Sequence, residues 1–237
     1  MTACGRLGFD PLAPSGDGGT DSSRDTTSGD AMVVPAGPAV WLRMETDPNT
    51  GIVDSGGGHT VACATPCPLA GPGEHGGGYE LSTNEVDVAA AADIGASSAF
   101  TGAVWVKLSA LPSSEGCVWS KPFDNTLVYD TFTLCIDPTG ATIFDCETPG
   151  GVADSETGPT IQPGAWHHLA MTWDGTTKRG YLDGTEVVTK NVQIGGGNLG
   201  FTLGGEGLSY FTPGTVDDAI YYTRALTPGE IAQLSAP

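Results

Sequence analysis

The chain has 237 residues, with 28 acidic against 9 basic residues and a formal net charge of −19 at neutral pH. This charge argues against nucleic acid or anionic membrane surfaces as partners, because proteins meet such polyanions with clusters of Lys and Arg. The 36 glycines and 17 prolines, with only 16% charged residues, favour short elements joined by turns over long helices. We therefore expect an all-β protein.

The N-terminal part has a different composition from the rest. Residues 1–37 are rich in Gly, Ser, Thr, Asp and Pro and carry almost no large apolar residue between Phe9 and Met32. Such a segment buries too little surface to offset its ordering entropy, so we expect a flexible tether followed by a folded domain over 38–237. No apolar run reaches the about 20 residues that a transmembrane helix needs. The opening "TAC" resembles the end of a bacterial lipobox, which implies lipidation of Cys4.

From residue 39 onwards, short apolar segments alternate with turn residues. "AVWLRME" (39–45) and "GGYELSTNEVDVAAA" (77–91) are typical of half-buried strands, and "SAFTGAVWVKLSAL" (98–111) is apolar on both faces. A strand that is covered on both faces belongs at the centre of a sheet. Phe100, Val104, Val106 and Leu108 are predicted on one face, and Ala103 and Trp105 on the other.

A three-strand meander is predicted next. Its strands are "GCVWSKPF" (116–123), "TFTLCID" (131–137) and "ATIFDCE" (141–147), of which the last two are joined by the turn residues Pro138 and Gly140. The following segment, 148–164, is predicted to be a loop.

The C-terminal third begins with "WHHLAMTWD", "KRGYLDG" and "TEVVTKN", which predict three strands joined by tight turns, and "NLGFTLGG" and "GTVDDAIYYTRAL" predict two more. In "LTPGEIAQL", Thr227 can cap a helix, Pro228 suits its first position, and Glu230 completes a capping box. About a dozen short strands and one terminal helical turn predict a two-sheet antiparallel sandwich.

Six cysteines lie at positions 4, 63, 67, 117, 135 and 146. Their spacing matches no zinc motif, so disulfides in an oxidising compartment are favoured. Cys117 and Cys135 fall on successive predicted strands. Cys63 could pair with Cys67, or either of them with Cys146, and the sequence leaves this open.

The adjacent histidines in "WHHLAMTWD" suggest catalysis or metal binding at first sight. Alternation along a strand sends His167 and His168 to opposite faces, so they cannot form one site. We expect scaffold residues, each with a hydrogen bond to the backbone.

The order of the segments resembles a known family. "WLRMETDPNTGIVDSGGGHTVA", "FTGAVWVK", "WHHLAMTWDGTTKRGYLDGTEV" and "GTVDDAIYYTRALTPGEIAQL" resemble the LamG-like jellyroll domain of bacterial secreted proteins, in the concanavalin A-like lectin and glucanase superfamily. The resemblance implies a jelly roll of two antiparallel sheets. It also implies an accessory module that binds sugar or protein, often with a structural calcium ion.

Two kinds of site follow from the resemblance and the residues. The resemblance places acidic residues of the last strand, Asp217 and Asp218, against the first strand, where Glu45 is the third calcium ligand candidate. For sugar, an exposed aromatic ring with polar neighbours is required, and the loops offer Trp119, Tyr129, Tyr210 and Phe211. Trp41, Trp105, Trp166 and Trp173 are expected in the core.

A glycosidase is disfavoured at this stage. Related glucanases carry three carboxylates in register on one strand, whereas "EVDVAA" has Glu85 and Asp87, both expected in solvent, but Ala where the third should be. We expect a non-catalytic, monomeric, secreted or cell-surface module for carbohydrate or a surface protein. A hydrolase with a divergent active site and a purely structural domain remain the alternatives.

Overall fold

The computed structural model describes residues 32–63, 66–95, 98–122, 130–206 and 209–237. Two sheets of antiparallel strand pairs face each other, as the alternation predicts. The eight-stranded sheet holds β1 (Val40–Leu42), β3 (Leu69–Pro72), β4 (Gly77–Leu81), β6 (Phe100–Leu108), β11 (Trp166–Trp173), β12 (Thr177–Leu182), β13 (Thr185–Asn191) and β15 (Gly214–Tyr222). The seven-stranded sheet holds β2 (Val61–Cys63), β5 (Val86–Val88), β7 (Gly116–Pro122), β8 (Asp130–Ile136), β9 (Ala141–Asp145), β10 (Glu156–Thr160) and β14 (Phe201–Leu203).

Strand β6 lies in the middle of the eight-stranded sheet, between β11 and β15. Its predicted faces are confirmed: Val104 and Val106 are in the core between the sheets, and Ala103 is in a second apolar cluster on the outer side. The meander β7–β8–β9 is confirmed as well. Residues 156–160 differ from the prediction, because they form the edge strand β10 inside the expected loop.

The second apolar cluster lies under the C-terminal helix α1 (Pro228–Leu234). Thr227 and Glu230 form the predicted capping box, and Ile231 and Leu234 of the helix are buried against the outer side of the sheet. The helix therefore covers part of this sheet's outer face.

The last part of the predicted tether is packed against the domain. Met32 and Val34 contact the second apolar cluster, and the Tyr222 hydroxyl donates to the carbonyl of Pro35 at 2.7 Å. The packed region therefore begins before the predicted boundary at residue 38.

Two disulfides are present, Cys63–Cys67 and Cys117–Cys135, and Cys146 is a buried free cysteine. This resolves the pairing that the sequence left open for these five residues. Cys4 lies outside the described residues.

Candidate functional site

The outer side of the seven-stranded sheet carries a group of carboxylates. Along β8, Phe132, Leu134 and Ile136 are in the core, so the alternate residues Thr133 and Cys135 point outward. Asp145 is directly opposite Thr133, and Cys117 is directly opposite Cys135. We name the group on this side the acidic face; its members are Glu115, Asp130, Asp145, Glu147 and Glu206.

Asp130 is the most buried member of the acidic face, with 6% of its surface exposed. Its carboxylate accepts a hydrogen bond from the Ser120 hydroxyl at 3.2 Å, and its backbone N–H donates to the carboxylate of Glu147. Burial, together with the negative charges of Glu206 and Glu147, raises the pKa of Asp130 to about 8. Asp130 is therefore a protonated acid, and a hydrogen-bond donor, near neutral pH.

The other members have raised pKa values for the same two reasons. Burial comes first in each case, and the neighbouring charges add to it: Asp145 acts on Glu115, and Glu115 acts on Glu206. The pKa values of Asp145 and Glu147 are also raised, mainly by burial. Because Asp130 is protonated near neutral pH, the acidic face holds a hydrogen-bond donor among carboxylate acceptors.

An aromatic edge borders the acidic face. Tyr210 is 50% exposed and has a left-handed backbone, with φ of 50°, and its carbonyl accepts from the N–H of Cys117 at 2.6 Å. Glu206, which precedes it, contacts Cys117 Sγ at 3.8 Å. Phe211 is half-buried and forms a bridge with Cys117. The backbone of Tyr210 and Phe211 thus lies against β7 at Cys117, next to Glu206.

The other two aromatic residues predicted to bind sugar are Trp119 and Tyr129. Trp119 is fully buried and packs against Phe201 and Phe132, so its ring offers no surface to a ligand and the prediction for Trp119 is wrong. The cause is a bulge between Cys117 and Trp119, which turns Trp119 to the inner face. Tyr129 lies outside the described residues. Trp166, which was expected in the core, is half-buried beneath the ammonium of Lys107.

A second acidic group lies at the junction of the first and last strands. Next to Asp217, the partner strand of β15 changes from β4 to β1, and a bulge interrupts its pairing with β6. Single ligand atoms of Asp217, Asp218 and His75 lie within 4.8 Å of one another. Asp217 is fully buried and Asp218 is 4% exposed.

Protein groups surround these carboxylates closely. Asp217 accepts from the backbone N–H of His75 at 2.9 Å and of Asp218 at 2.7 Å, and Asp218 accepts from Trp41 Nε1 at 2.7 Å. The second oxygen of Asp218 is 3.2 Å from His75 Nδ1. Burial and the charge of Asp218 raise the pKa of Asp217. Burial works to lower the pKa of His75, but Asp218 and Asp217 raise it overall.

Glu45 lies close to this group but does not belong to its tight core. Its carboxylate accepts at 3.1 Å from the N–H of Gly77, the first residue of β4, two residues after His75. The structure brings Asp218 to Trp41 of β1 and to His75, and no signal in the sequence pointed to His75.

The sequence also missed a histidine held between two carboxylates. Asp54 accepts from His59 Nδ1 at 2.8 Å, and His59 Nε2 is 3.0 Å from Asp93. Asp54 also accepts backbone N–H groups of Trp41, Gly56, Gly57 and His59. Burial works to lower the pKa of His59, and Asp93 and Asp54 raise it overall. This link ties the segment after β1 to the segment after β5.

The paired histidines of β11 lie on opposite faces, as expected. His168 is 1% exposed and packs against Trp105, and burial lowers its pKa to about 3, so it is neutral. Its Nδ1 has no partner among the described residues, contrary to the expected hydrogen bond to backbone. His167 pairs with the Asp183 carboxylate at 2.9 Å.

The glucanase-like pair also differs in part from expectation. Asp87 is exposed and accepts from the Thr202 hydroxyl at 2.8 Å, whereas Glu85, expected in solvent, is 3% exposed.

The architecture and the segment order define a concanavalin A-like β-sandwich. The family model Laminin_G_3, described as the concanavalin A-like lectin/glucanases superfamily, matches residues 80–232. The chain therefore belongs to this superfamily. None of the curated proteins matches the sequence. Over the described ranges, no helix is long and apolar enough to cross a membrane.

Solved structures share the fold at low sequence identity. The binding domain of Paraclostridial Mosquitocidal Protein 1 has a TM-score of 0.68 and 16% identity, over 84% of this chain and 52% of that chain. Domain 4 of AbnA, an extracellular GH43 arabinanase from Geobacillus stearothermophilus, in complex with arabinotriose, has a TM-score of 0.64 and 19% identity, over 84% of this chain and 98% of that one.

A Trypanosoma rangeli sialidase complex has a TM-score of 0.66 and 16% identity, over 90% of this chain and 34% of that chain. The chain thus spans about half of the toxin domain and about a third of the sialidase.

Proposed function

We propose that the protein is a non-catalytic extracellular module that binds carbohydrate at the Tyr210 edge of the acidic face. The observation that carries the proposal is an aromatic residue, 50% exposed, whose backbone is hydrogen-bonded to Cys117, the residue that Glu206 of the acidic face contacts. Sugar recognition needs an apolar ring face together with a few polar groups that satisfy hydroxyls. Domain 4 of AbnA, of similar fold, was solved with arabinotriose, which supports this class of ligand.

The acidic face suits a neutral sugar better than a charged one. Ionised carboxylates accept hydrogen bonds from sugar hydroxyls, and a protonated acid such as Asp130 can donate to them. An anionic sugar would meet like charge from this face and from a chain with net charge −19. We therefore propose a neutral oligosaccharide.

A glycan array, run with and without Ca²⁺, tests the proposal, followed by titration of the best ligand against Tyr210→Asn. Asn tolerates the left-handed backbone at this position, so the variant removes the ring alone. Loss of an aromatic contact of about 1.4 kcal/mol weakens binding about tenfold. Leu69→Ala, at an exposed residue of the other sheet, is the control and should bind as the parent does.

Two results would count against this proposal. Binding to no glycan would favour a surface protein as partner or a structural role. Equal affinity of the parent and Tyr210→Asn would place any sugar site elsewhere.

A hydrolase is the second candidate, and the state of Asp130 favours it. A protonated acid close to Glu147 and Glu206 resembles the acid and carboxylate pair of glycosidases in chemistry. Release of reducing ends from the bound glycan, lost in Asp130→Asn while glycan binding is retained, would establish this activity. No release at any pH between 5 and 9 would leave binding as the function.

We propose in addition that Asp217, Asp218 and Glu45 hold a structural calcium ion. Two buried carboxylates in contact, with a third on the adjoining loop, are the oxygen ligands that Ca²⁺ prefers. The fit is partial, because His75 Nδ1 is beside Asp218 and Glu45 is outside the tight group. Binding would therefore require Asp218 to give up its contact with His75.

Thermal unfolding in EDTA and in excess Ca²⁺ tests the calcium proposal. The ion should raise the Tm, since a ligand that binds only the folded state stabilises it. Asp217→Asn should lose this rise. Equal Tm values in EDTA and in Ca²⁺ would contradict the proposal.

We propose an extracellular location because two disulfides are present, and such bonds persist in oxidising compartments. Lipidation of Cys4 would hold the module at a cell surface. Labelling of the expressed protein with a clickable fatty acid, compared with Cys4→Ser, checks the anchor.

A further inference from the structure

The Cys117–Cys135 disulfide is flanked by two carboxylates of the acidic face. Cys117 and Cys135 are directly opposite each other on β7 and β8, and both are fully buried. A carboxylate oxygen of Glu115 and both sulfur atoms lie within 4.8 Å of one another. Glu206 approaches from the loop after β14, with Oε2 at 3.8 Å from Cys117 Sγ. Four side chains that can ligate a metal therefore converge on one region.

These four groups match the chemistry of a soft divalent cation once the sulfurs are reduced. Zn²⁺ is bound tetrahedrally by thiolates at about 2.3 Å and carboxylate oxygens at about 2.0–2.2 Å. The ligand atoms of such a site lie less than about 4 Å apart. Glu115 and the two sulfurs lie within 4.8 Å of one another, and Glu206 Oε2 is 3.8 Å from Cys117 Sγ. Two thiolates and two carboxylates would complete a four-coordinate shell without a further protein ligand.

The charge around the sulfurs also favours a cation over free thiolates. Glu115 and Glu206 repel each other, and Asp145 adds a third negative charge to both. Lys178 and Lys190 pair with Asp154 and not with these carboxylates. A bound divalent ion would neutralise this concentration of negative charge.

We propose that reduction of the Cys117–Cys135 disulfide creates a zinc-class metal site made of these two cysteines, Glu115 and Glu206. A phosphine reductant supplies the two electrons, is oxidised to the phosphine oxide with oxygen from water, and leaves two thiols. Metal binding then forms two metal–sulfur bonds and releases the two thiol protons to solvent. The oxidised protein has no lone thiolate at this position and does not bind the ion.

The site has no signature in the sequence. The two cysteines are 18 residues apart, on paired strands, and Glu206 is 89 residues from Cys117. Only the direct pairing of β7 with β8 brings the sulfurs together. The metal site shares Glu115 and Glu206 with the acidic face, but the inference does not rest on the carbohydrate proposal, because it needs neither Tyr210 nor a sugar.

Metal titration of the reduced protein tests the inference. The full chain is reduced with a phosphine and desalted under argon, and Cd²⁺ is added while the thiolate-to-metal charge-transfer absorbance is followed. Zn²⁺ affinity is then measured by competition with a chromophoric chelator. One equivalent should bind to the reduced protein and none to the oxidised protein.

Variants distinguish this site from other thiols. Glu206→Gln and Glu115→Gln should each weaken binding by at least about tenfold, the range seen when a supporting group of a metal site is removed. A Cys63→Ser/Cys67→Ser double variant and Cys146→Ser are the controls, and each should keep full binding after reduction. Cys117→Ser/Cys135→Ser should bind nothing.

Three results would overturn the proposed metal site. Binding that survives Cys117→Ser/Cys135→Ser, or that is unchanged in Glu206→Gln and Glu115→Gln, overturns it. Circular dichroism monitors the fold of the reduced chain. A reduced chain that unfolds and does not regain its β-sheet signal when Zn²⁺ is added overturns it as well.

Discussion

Gly102 of β6 lies directly beneath the ring of Phe132 of β8, so that a methyl group on Gly102 would be 2.4 Å from the ring carbon Cζ. The two residues belong to opposite sheets, so this contact joins the sheets across the core. Phe132 also stacks on Phe100, with ring centroids 4.8 Å apart, so the ring has little freedom to move away.

Gly102→Ala should therefore destabilise the protein. Overpacking of a filled core costs about 1–3 kcal/mol, and here the aromatic cluster would have to shift. Gly229→Ala is the matched control, because no atom lies within 4 Å of the added methyl and the residue is in α1. Alanine favours a helix over glycine by about 1 kcal/mol, so this variant should be equal to the parent or more stable. Urea unfolding measures both changes; equal stability of Gly102→Ala and the parent would show that the rings can rearrange.

The fold could be predicted well wherever alternation is regular. The two faces of β6 and the capping box at Thr227 follow from residue spacing alone, and the structure confirms both. Trp119 was assigned to a loop, but it lies within β7, where a bulge after Cys117 that the sequence does not signal turns it to the inner face. The edge strand β10 was missed because "ETGPT" has no apolar alternation.

The candidate sites were less predictable, for a different reason. The acidic face joins Glu115, Asp130, Asp145, Glu147 and Glu206, which come from four separate segments of the chain. Only strand pairing brings them together, and no spacing along the sequence encodes it. The family resemblance did place Asp217 and Asp218 near β1, but it did not bring His75 to them.

The link from Asp54 through His59 to Asp93 should make stability depend on pH. The pKa of His59 is raised in the folded state, so its contribution is full below about pH 6.5 and is lost as pH rises through the folded pKa. The pKa of Asp54 is lowered in the folded state, so its contribution is lost as pH falls below about 4. The link should stabilise most between these limits.

Asp93→Asn tests this link, because it removes one of the two carboxylates that raise the pKa of His59. The difference in Tm between parent and variant should be largest near pH 5.5 and should shrink above pH 7. Asp93 is exposed, so high salt should also reduce the difference. A difference that is constant from pH 5 to 8 would contradict the assignment.

His168 should have the opposite pH dependence. The pKa of His168 in the folded protein is about 3. Below about pH 6.5 the imidazole is therefore protonated in the unfolded chain but stays neutral in the folded chain. Stability should fall by up to about 1.4 kcal/mol for each unit of pH below that value. His168→Leu should remove this slope while keeping the contact with Trp105 apolar. Urea unfolding at pH 4, 5 and 6 measures the slope; parallel pH profiles of parent and variant would show that other groups cause it.

The two disulfides should differ in their effect on stability because they close loops of different length. Cys117–Cys135 spans 18 residues and Cys63–Cys67 spans 4. Loop-closure entropy predicts losses of about 3 kcal/mol and about 2 kcal/mol when the two bonds are removed. Paired replacement by Ser avoids a free thiol in each case, and urea unfolding compares the two variants. Cys117→Ser/Cys135→Ser should lose more, since its hydroxyls are also buried in the acidic face. A larger loss of stability from Cys63→Ser/Cys67→Ser than from Cys117→Ser/Cys135→Ser would contradict this ranking by loop length.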